Sequence, residues 1–270
     1  MKYEMVVFDL DGTLLDSNFE LTEETIGAVH GLRELGLRVS VATGRGYGSA
    51  EPFLERLGII EPMVFSNGAV FDNPETGERE VIAGVPLESA LIAMMLLDLY
   101  PDISAKAHML GGEVLKSNAT VWPHEGTHFA AGEVCENIKA ALLDDPIKIV
   151  FFGPELRLME FKTKLLAILG NRAPAKLFQS QPYYLEMVNG KTSKGLALLK
   201  LIQALELDPQ KVVTVGDQEN DFDMLRLFGL GIRVGNGHKS LAEVARYQVK
   251  EPQAGGVVEI LEILRQELST

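Results

Sequence analysis

Apolar positions along this chain fall into two rhythms, and the change between them divides it. Met5-Val6-Val7-Phe8 is a short unbroken apolar run, the pattern of a strand buried on both faces of a parallel sheet. It ends in Asp9-Leu10-Asp11-Gly12-Thr13-Leu14, two carboxylates one residue apart followed by a glycine. Thr22 stands where it can cap a helix, with Glu23 and Glu24 in the first turn and Gly36 just past the end. Residues 38–42 alternate toward a second strand that runs into Thr43-Gly44-Arg45. Met63-Val64-Phe65 reads as a third, ending at Ser66-Asn67-Gly68. This β-α-β-α-β order predicts an α/β fold with a doubly wound, Rossmann-like parallel sheet and its site at the carboxyl ends of the strands. Residues 69–83 break the pattern with two short strands around the turn Asn73-Pro74-Glu75-Thr76-Gly77.

The second rhythm begins near Pro86. A helix over 87–99 is followed by strands over 103–108 and 113–117, joined by Gly111-Gly112. A helix over 133–143, a strand over 148–152, a helix over 155–169 and strands near 175–179 and 183–188 complete the segment. Strands mostly in hairpins with helices beside them predict an α+β unit with an antiparallel sheet. At Ser193 the β/α alternation resumes: helix, strand over 212–215, helix, strand over 231–234, and a last helix from about Val257. The reading is a core formed by residues 1–84 and 188–270, interrupted by an inserted α+β cap over 85–187.

Composition narrows the function. The formal net charge of −13 argues against nucleic acid as a partner, because a phosphate backbone needs a basic face. The same charge repels small anions at long range, so a phosphate site must gain its attraction locally, from a metal, a lysine or backbone N–H groups. No apolar run approaches the roughly 20 residues that cross a bilayer, so no membrane partner is expected. No basic leader precedes the first strand, and Cys135 is the only cysteine, so the expected home is the reducing cytoplasm. A monomer or small homo-oligomer is expected.

Two carboxylates as close as Asp9 and Asp11 repel each other unless a cation or a proton lies between them, which suggests a hard metal ion and a nucleophile. Other elements fall at successive strand ends: Thr43, Lys194 in Ser193-Lys194-Gly195, and Gly216-Asp217-Gln218-Glu219-Asn220-Asp221. As an ordered set, with Asn67-Gly68-Ala69 and Gly235-Asn236, they resemble the haloacid dehalogenase-like (HAD) phosphohydrolases. The likeness is to the Cof-type branch with a large α/β (C2B-type) cap, and it spans nearly the whole chain. It implies a Mg²⁺-dependent phosphatase acting on small phosphate monoesters, sugar phosphates or related phosphorylated metabolites, through an aspartyl-phosphate intermediate.

The resemblance also implies roles. Asp9 would be the nucleophile and Asp11 the acid, then base. The Asp9 carboxylate, the Asp11 backbone carbonyl and Asp217 would hold Mg²⁺, with Asp221, one helical turn on, as an indirect or water-mediated partner. Thr43 would hydrogen-bond the transferring phosphoryl group, and Lys194 would balance charge. Gly44, Arg45, Asn67 and Asn220 are further candidates for substrate contact. Asn67 and Asn236 beside glycines read equally well as turn residues in left-handed geometry. In the family the cap contacts the leaving group, and here the polar candidates are His108, Glu113, Lys116, Lys148 and Tyr183; spacing does not rank them.

Rival patterns remain. A phosphomutase would keep the fold and return the phosphoryl group to a substrate. His124-Glu125-Gly126-Thr127-His128 is a literal zinc-peptidase motif, but Pro123 and Gly126 argue against the helix it needs. Gly190-Lys191-Thr192 resembles the tail of a P-loop, with Leu185 at the required first glycine. Lys191 is a rival to Lys194, which better matches the family register. The loop from Pro252 to Gly256 lacks the acidic residue that many relatives carry there.

Overall fold

The computed structural model describes residues 2–109, 112–117, 132–170, 174–181, 183–235 and 237–269, without the side chains of 180 and 181. His124, Glu125, His128 and Asn236 lie outside them. The chain forms two compact units, Met1–Glu80 with Ser193–Thr270, and Val81–Thr192.

In chain order the first unit opens with β1 (Met5–Phe8), α1 (Glu23–Glu34), β2 (Arg38–Val41), α2 (Tyr47–Leu57), β3 (Met63–Phe65), β4 (Val70–Asn73) and β5 (Glu78–Val81). The second unit holds α3 (Leu87–Leu97), β6 (Ser104–His108), β7 (Val114–Ser117), β8 (Glu133–Cys135) and α4 (Ile138–Ala141). It continues with β9 (Lys148–Phe152), α5 (Glu155–Leu169), β10 (Ala175–Gln181) and β11 (Tyr184–Asn189). The chain then returns to the first unit through α6 (Lys194–Ala204), β12 (Val212–Gly216), α7 (Phe222–Leu227), β13 (Leu230–Val234), β14 (Tyr247–Val249) and α8 (Gly256–Ser269).

The first unit is built on a parallel sheet of order β14-β13-β12-β1-β2. β1 is an interior strand, flanked by β12 and β2, which is why all four of its residues are buried and apolar. α1 starts at Thr22, whose hydroxyl accepts from the Thr25 N–H at 3.1 Å, and it packs on α8. Sequence order reverses at β1, between β2 and β12, so the strand ends there open a crevice for the site.

Two expectations change, and one strand is new. Met63–Phe65 is not a full third parallel strand. It meets the residue just past β2 through one parallel bridge, Ala42 to Val64, and pairs antiparallel with β4. Glu133–Cys135 is a strand parallel to β7 rather than the start of a helix. Asn137 caps the short helix after it, accepting from the Ala140 N–H. β14, a three-residue edge strand, had no counterpart in the apolar pattern.

The second unit has a six-stranded sheet of order β10-β11-β9-β6-β7-β8, antiparallel but for β7 and β8. One face, through Ala105, Ala107, Ile149, Phe151, Leu185 and Met187, shares a core with α3 and α5. Phe161 sits at the centre of that core, 4.8 Å from the Phe151 ring and 5.3 Å edge-on from Tyr100. Among the described residues, no helix is long and apolar enough to cross a membrane.

The opposite face carries His108, whose register partner on β9 is Lys148. Burial, with Lys148 and Lys106 adding to it, pushes the imidazole down to about 3. The unfolded chain takes a proton as pH falls through about 6.5, and the folded chain does not. Stability held above that value is therefore lost as pH falls toward 3. His108→Gln should flatten the acid limb of a Tm–pH curve recorded from about pH 7 to pH 4. Equal slopes in the two proteins would exclude the histidine as the source.

Candidate active site

β1 delivers Asp9 to the carboxyl edge of the sheet, where its N–H donates to the Val215 carbonyl of β12 at 2.9 Å. The chain then turns tightly, with the Leu14 and Leu15 N–H groups on the Leu10 carbonyl at 2.9 and 2.8 Å. Gly12 adopts a φ of +78°, and a Cβ there would fall 2.3 Å from Asp217 Oδ2. Only glycine serves both needs. Asp217 thus lies against the turn, accepting from Thr13 Oγ1 at 3.1 Å and from Gln218 Nε2 at 2.8 Å.

Lys194 enters from α6. The Ser193 hydroxyl caps the helix by accepting from the Leu196 N–H at 3.2 Å. Gly195 lets α6 approach the backbone of Asp223 and Met224, where a Cβ would be 2.5 Å from the Asp223 carbonyl carbon. The side chain of Lys194 is 1% exposed, and its ammonium donates to Asp9 Oδ1 at 2.7 Å and to Asp221 Oδ1 at 2.8 Å. The other Asp221 oxygen accepts from the N–H groups of Asp217 and Gln218 at 3.0 and 2.9 Å. Lys191 is exposed.

The electrostatics follow from burial. Burial drives the Asp9 carboxyl well above its usual range, against the pull of Lys194, with Asp221, Asp217 and Asp11 adding to the rise. Burial and then Asp221 push Asp217 up to about 6. Burial alone would lower the Lys194 ammonium, but Asp221 and Asp9 reverse that and raise it. Carboxylate oxygens of Asp9, Asp217 and Asp221 lie within 4.8 Å of one another. Three carboxylates against one ammonium leave an excess of two negative charges, the deficit that a hard divalent cation with oxygen ligands removes. The residues therefore fit such an ion. Asp9 has one oxygen outside the Lys194 bond, and each Asp217 oxygen takes a single neutral side-chain donor. Asp221 takes the ammonium and two backbone N–H groups, so Asp9 and Asp217 have more to offer the ion.

Thr43 is fully buried, its N–H on the Val64 carbonyl at 2.9 Å and its hydroxyl accepting from the Arg45 N–H at 3.1 Å. Asn67 does sit in left-handed geometry, at φ 57°, and it is buried as well. It lies beside Gly44, where a Cβ would be 3.1 Å from Asn67 Oδ1. Asn220 Nδ2 donates to Asn67 Oδ1 at 2.8 Å, which leaves Asn67 Nδ2 and Asn220 Oδ1 buried with no hydrogen-bond partner. Such atoms belong at a place where something else binds.

Arg45 is brought to Asp11. Its Nε lies 2.9 Å from Asp11 Oδ2 and its Nη2 2.6 Å from Oδ1, a two-pronged grip. The Ser49 carbonyl accepts from Nη1 at 3.0 Å, and the guanidinium lies 4.9 Å from the Phe53 ring centre. Neither this pair nor the Thr13 and Gln218 contacts to Asp217 has a spacing signal. Gln218 and Thr13 adjoin motif residues, and that adjacency was the only available clue. The Pro252–Ala254 turn and left-handed Gly255 lie next to Glu251.

Comparison with known proteins adds a frame. A family model described as haloacid dehalogenase-like hydrolase matches residues 6–261. The chain is 27% identical over 268 residues to the putative phosphatase YxeH of Bacillus subtilis, covering 94% of this chain and 96% of that protein. It is 28% identical over 251 residues to an HMP-PP phosphatase of Yersinia pestis, covering 89% and 87%. A haloacid dehalogenase-like hydrolase from Bacteroides thetaiotaomicron has the same fold, with a TM-score of 0.85 at 24% identity, covering 97% of this chain and 100% of that chain.

Mg²⁺ should raise the Tm, by the equivalent of about 2.7 kcal/mol at a hundred times its Kd. Asp217→Asn should raise the metal-free Tm at neutral pH, by relieving carboxylate crowding, and should abolish the response to Mg²⁺. Differential scanning calorimetry in Mg²⁺ and in a chelator reads both, and an undiminished metal response would remove Asp217 from the ligand set.

Proposed function

The chain belongs to the haloacid dehalogenase-like hydrolase family, and from that premise we propose that it hydrolyses small phosphate monoesters through a phosphoryl group carried on Asp9. The observation that carries this reading is the buried Lys194 bridge between Asp9 and Asp221, with Asp217 facing the same turn. It leaves Asp9 with one oxygen bound by the lysine and one available for in-line attack on phosphorus.

Attack by Asp9 breaks the ester P–O bond, and the leaving alkoxide takes a proton from Asp11. Asp11 then removes a proton from water, which attacks the Asp9-phosphate and releases inorganic phosphate. The grip of Arg45 aims the Asp11 carboxyl, so this arginine acts on the acid/base rather than on the phosphoryl group. The unpartnered Asn67 Nδ2 donor and the Thr43 hydroxyl suit the phosphoryl oxygens, and Asn220 holds the Asn67 amide in place. Lys194 offsets charge as the oxygens become more negative. Asp9, Asp217 and the Asp11 carbonyl would hold Mg²⁺, which would supply Lewis-acid neutralisation of the same charge.

The relatives are named as phosphatases, one of them an HMP-PP phosphatase, which supports a phosphorylated metabolite as substrate. Asp9→Asn should keep the fold and lose at least about a thousandfold in Mg²⁺-dependent phosphate release from p-nitrophenyl phosphate. Asp11→Asn should be severely impaired while keeping its Mg²⁺-induced rise in Tm, since the ligand there is a backbone carbonyl. Near-wild-type turnover in Asp9→Asn would overturn the assignment. Phosphoryl return to a sugar phosphate, with little free phosphate, would make it a mutase.

A further inference from the structure

Arg45 grips Asp11 with two prongs, yet water reaches the pair. The Asp11 side chain is 37% exposed and that of Arg45 14%. An ion pair in such a place gains little from attraction alone and has to order a long side chain. Two aromatic rings supply that order. The guanidinium carbon lies 4.9 Å from the Phe53 ring centre and 5.7 Å from that of Phe19, within the range at which a ring face attracts a cation. Phe53 belongs to α2, the helix that begins two residues after Arg45. Phe19 comes from elsewhere, the loop between the Asp11 turn and α1.

That loop closes on itself and holds Phe19 in an unusual conformation. Asp16 Oδ1 accepts from the N–H groups of Asn18 and Glu20 at 2.8 and 2.9 Å. The Asp16 N–H donates to the Glu20 carbonyl at 3.0 Å, and the Phe19 N–H to the Asp16 carbonyl at 3.0 Å. Phe19 takes a φ of +60° there. For a bulky aromatic residue this is strained backbone, in which glycine or asparagine is the ordinary occupant. Burial does not offset the strain, since Phe19 is 46% exposed. Neither backbone preference nor the apolar core accounts for a phenylalanine at this position; the Arg45 guanidinium beneath its ring does.

We propose that Phe19, together with Phe53, is a positioning residue for the acid: the two rings hold Arg45 so that its fork meets Asp11 and sets the direction in which Asp11 delivers its proton. The role of that proton rests on the phosphatase reading; the hold of Phe19 on Arg45 does not. As Asp9 attacks phosphorus and the ester P–O bond breaks, the leaving oxygen takes the proton of Asp11. A leaving group that carries its own negative charge well needs that proton least.

Two aryl phosphates separate a loss of acid positioning from a general loss of activity. In Phe19→Gly, kcat/KM should fall about tenfold for phenyl phosphate but no more than about threefold for p-nitrophenyl phosphate, whose phenolate departs readily. Phe19→Leu keeps bulk without a ring face and should show the same selective loss, whereas Phe19→Tyr should keep the wild-type pattern. With Arg45→Met in place, adding Phe19→Gly should change neither value further, because its effect runs through the arginine. ¹⁵N relaxation of the Arg45 Nε–H group needs no turnover; its order parameter should fall in Phe19→Gly and recover in Phe19→Tyr. This arm judges the hold on Arg45 even if the wild-type protein releases phosphate from neither ester, the outcome that removes the phosphatase reading. Equal losses with both esters, a further loss in the Arg45→Met background, or an unchanged Arg45 order parameter would each overturn the proposal.

Discussion

A lysine ammonium held between two carboxylates in a water-poor strand end is the interaction on which the rest of the first unit depends. Lys194 comes from α6, Asp9 from β1 and Asp221 from the loop after β12, so one cation ties three separate elements together. Removing one partner of such a group leaves a buried charge without compensation, a loss of about 3–5 kcal/mol. The arrangement is stable only as a set. Gly12 and Gly195 belong to that set, because each permits an approach that a Cβ would block, the first toward Asp217 and the second toward α7.

On the proposed phosphatase reading, the same set is also what makes the site reactive. Lys194 neutralises part of the negative charge and leaves the remainder in place, with Asp9 and Asp217 both displaced upward by burial. A fully satisfied network would hold Asp9 as an inert structural carboxylate. A partly satisfied one keeps a carboxylate in a field that a bound cation and an incoming phosphoryl group change together. The unpartnered Asn67 and Asn220 atoms express the same incompleteness in hydrogen bonds rather than charge. On that reading, stability and reactivity are two sides of one electrostatic deficit.

Much of this was legible in the sequence, for identifiable reasons. β1 was readable because a strand covered on both faces must be apolar throughout, and Asp9 and Asp11 because they interrupt that run. The doubly wound core with its inserted α+β unit followed from the two rhythms of apolar spacing. What escaped depended on distance in sequence or on brevity. The Arg45–Asp11 grip joins residues whose pairing no local period encodes. β3 carried a strand's composition, but its direction was set by pairing with β4, which propensity cannot show. Residues 133–143 are rich in helix formers, yet Glu133–Cys135 pairs with β7, a tertiary override of local preference. β14 has three residues, too few for any period to register.

Charge distribution separates the two units more sharply than fold does. In the first, carboxylates are concentrated and one lysine is buried to moderate them; in the second, Lys106 lies opposite Lys116 and Lys148 lies beside Glu186. Both arrangements sacrifice stability, since in each case like charges lie closer than packing alone requires. An excess of carboxylate calls for a cation. On the proposed phosphatase reading, a protein whose net charge repels phosphates has to attract them at a chosen point, and the strand end of β1, where Lys194 meets the three carboxylates, is where this sequence concentrates charge of both signs.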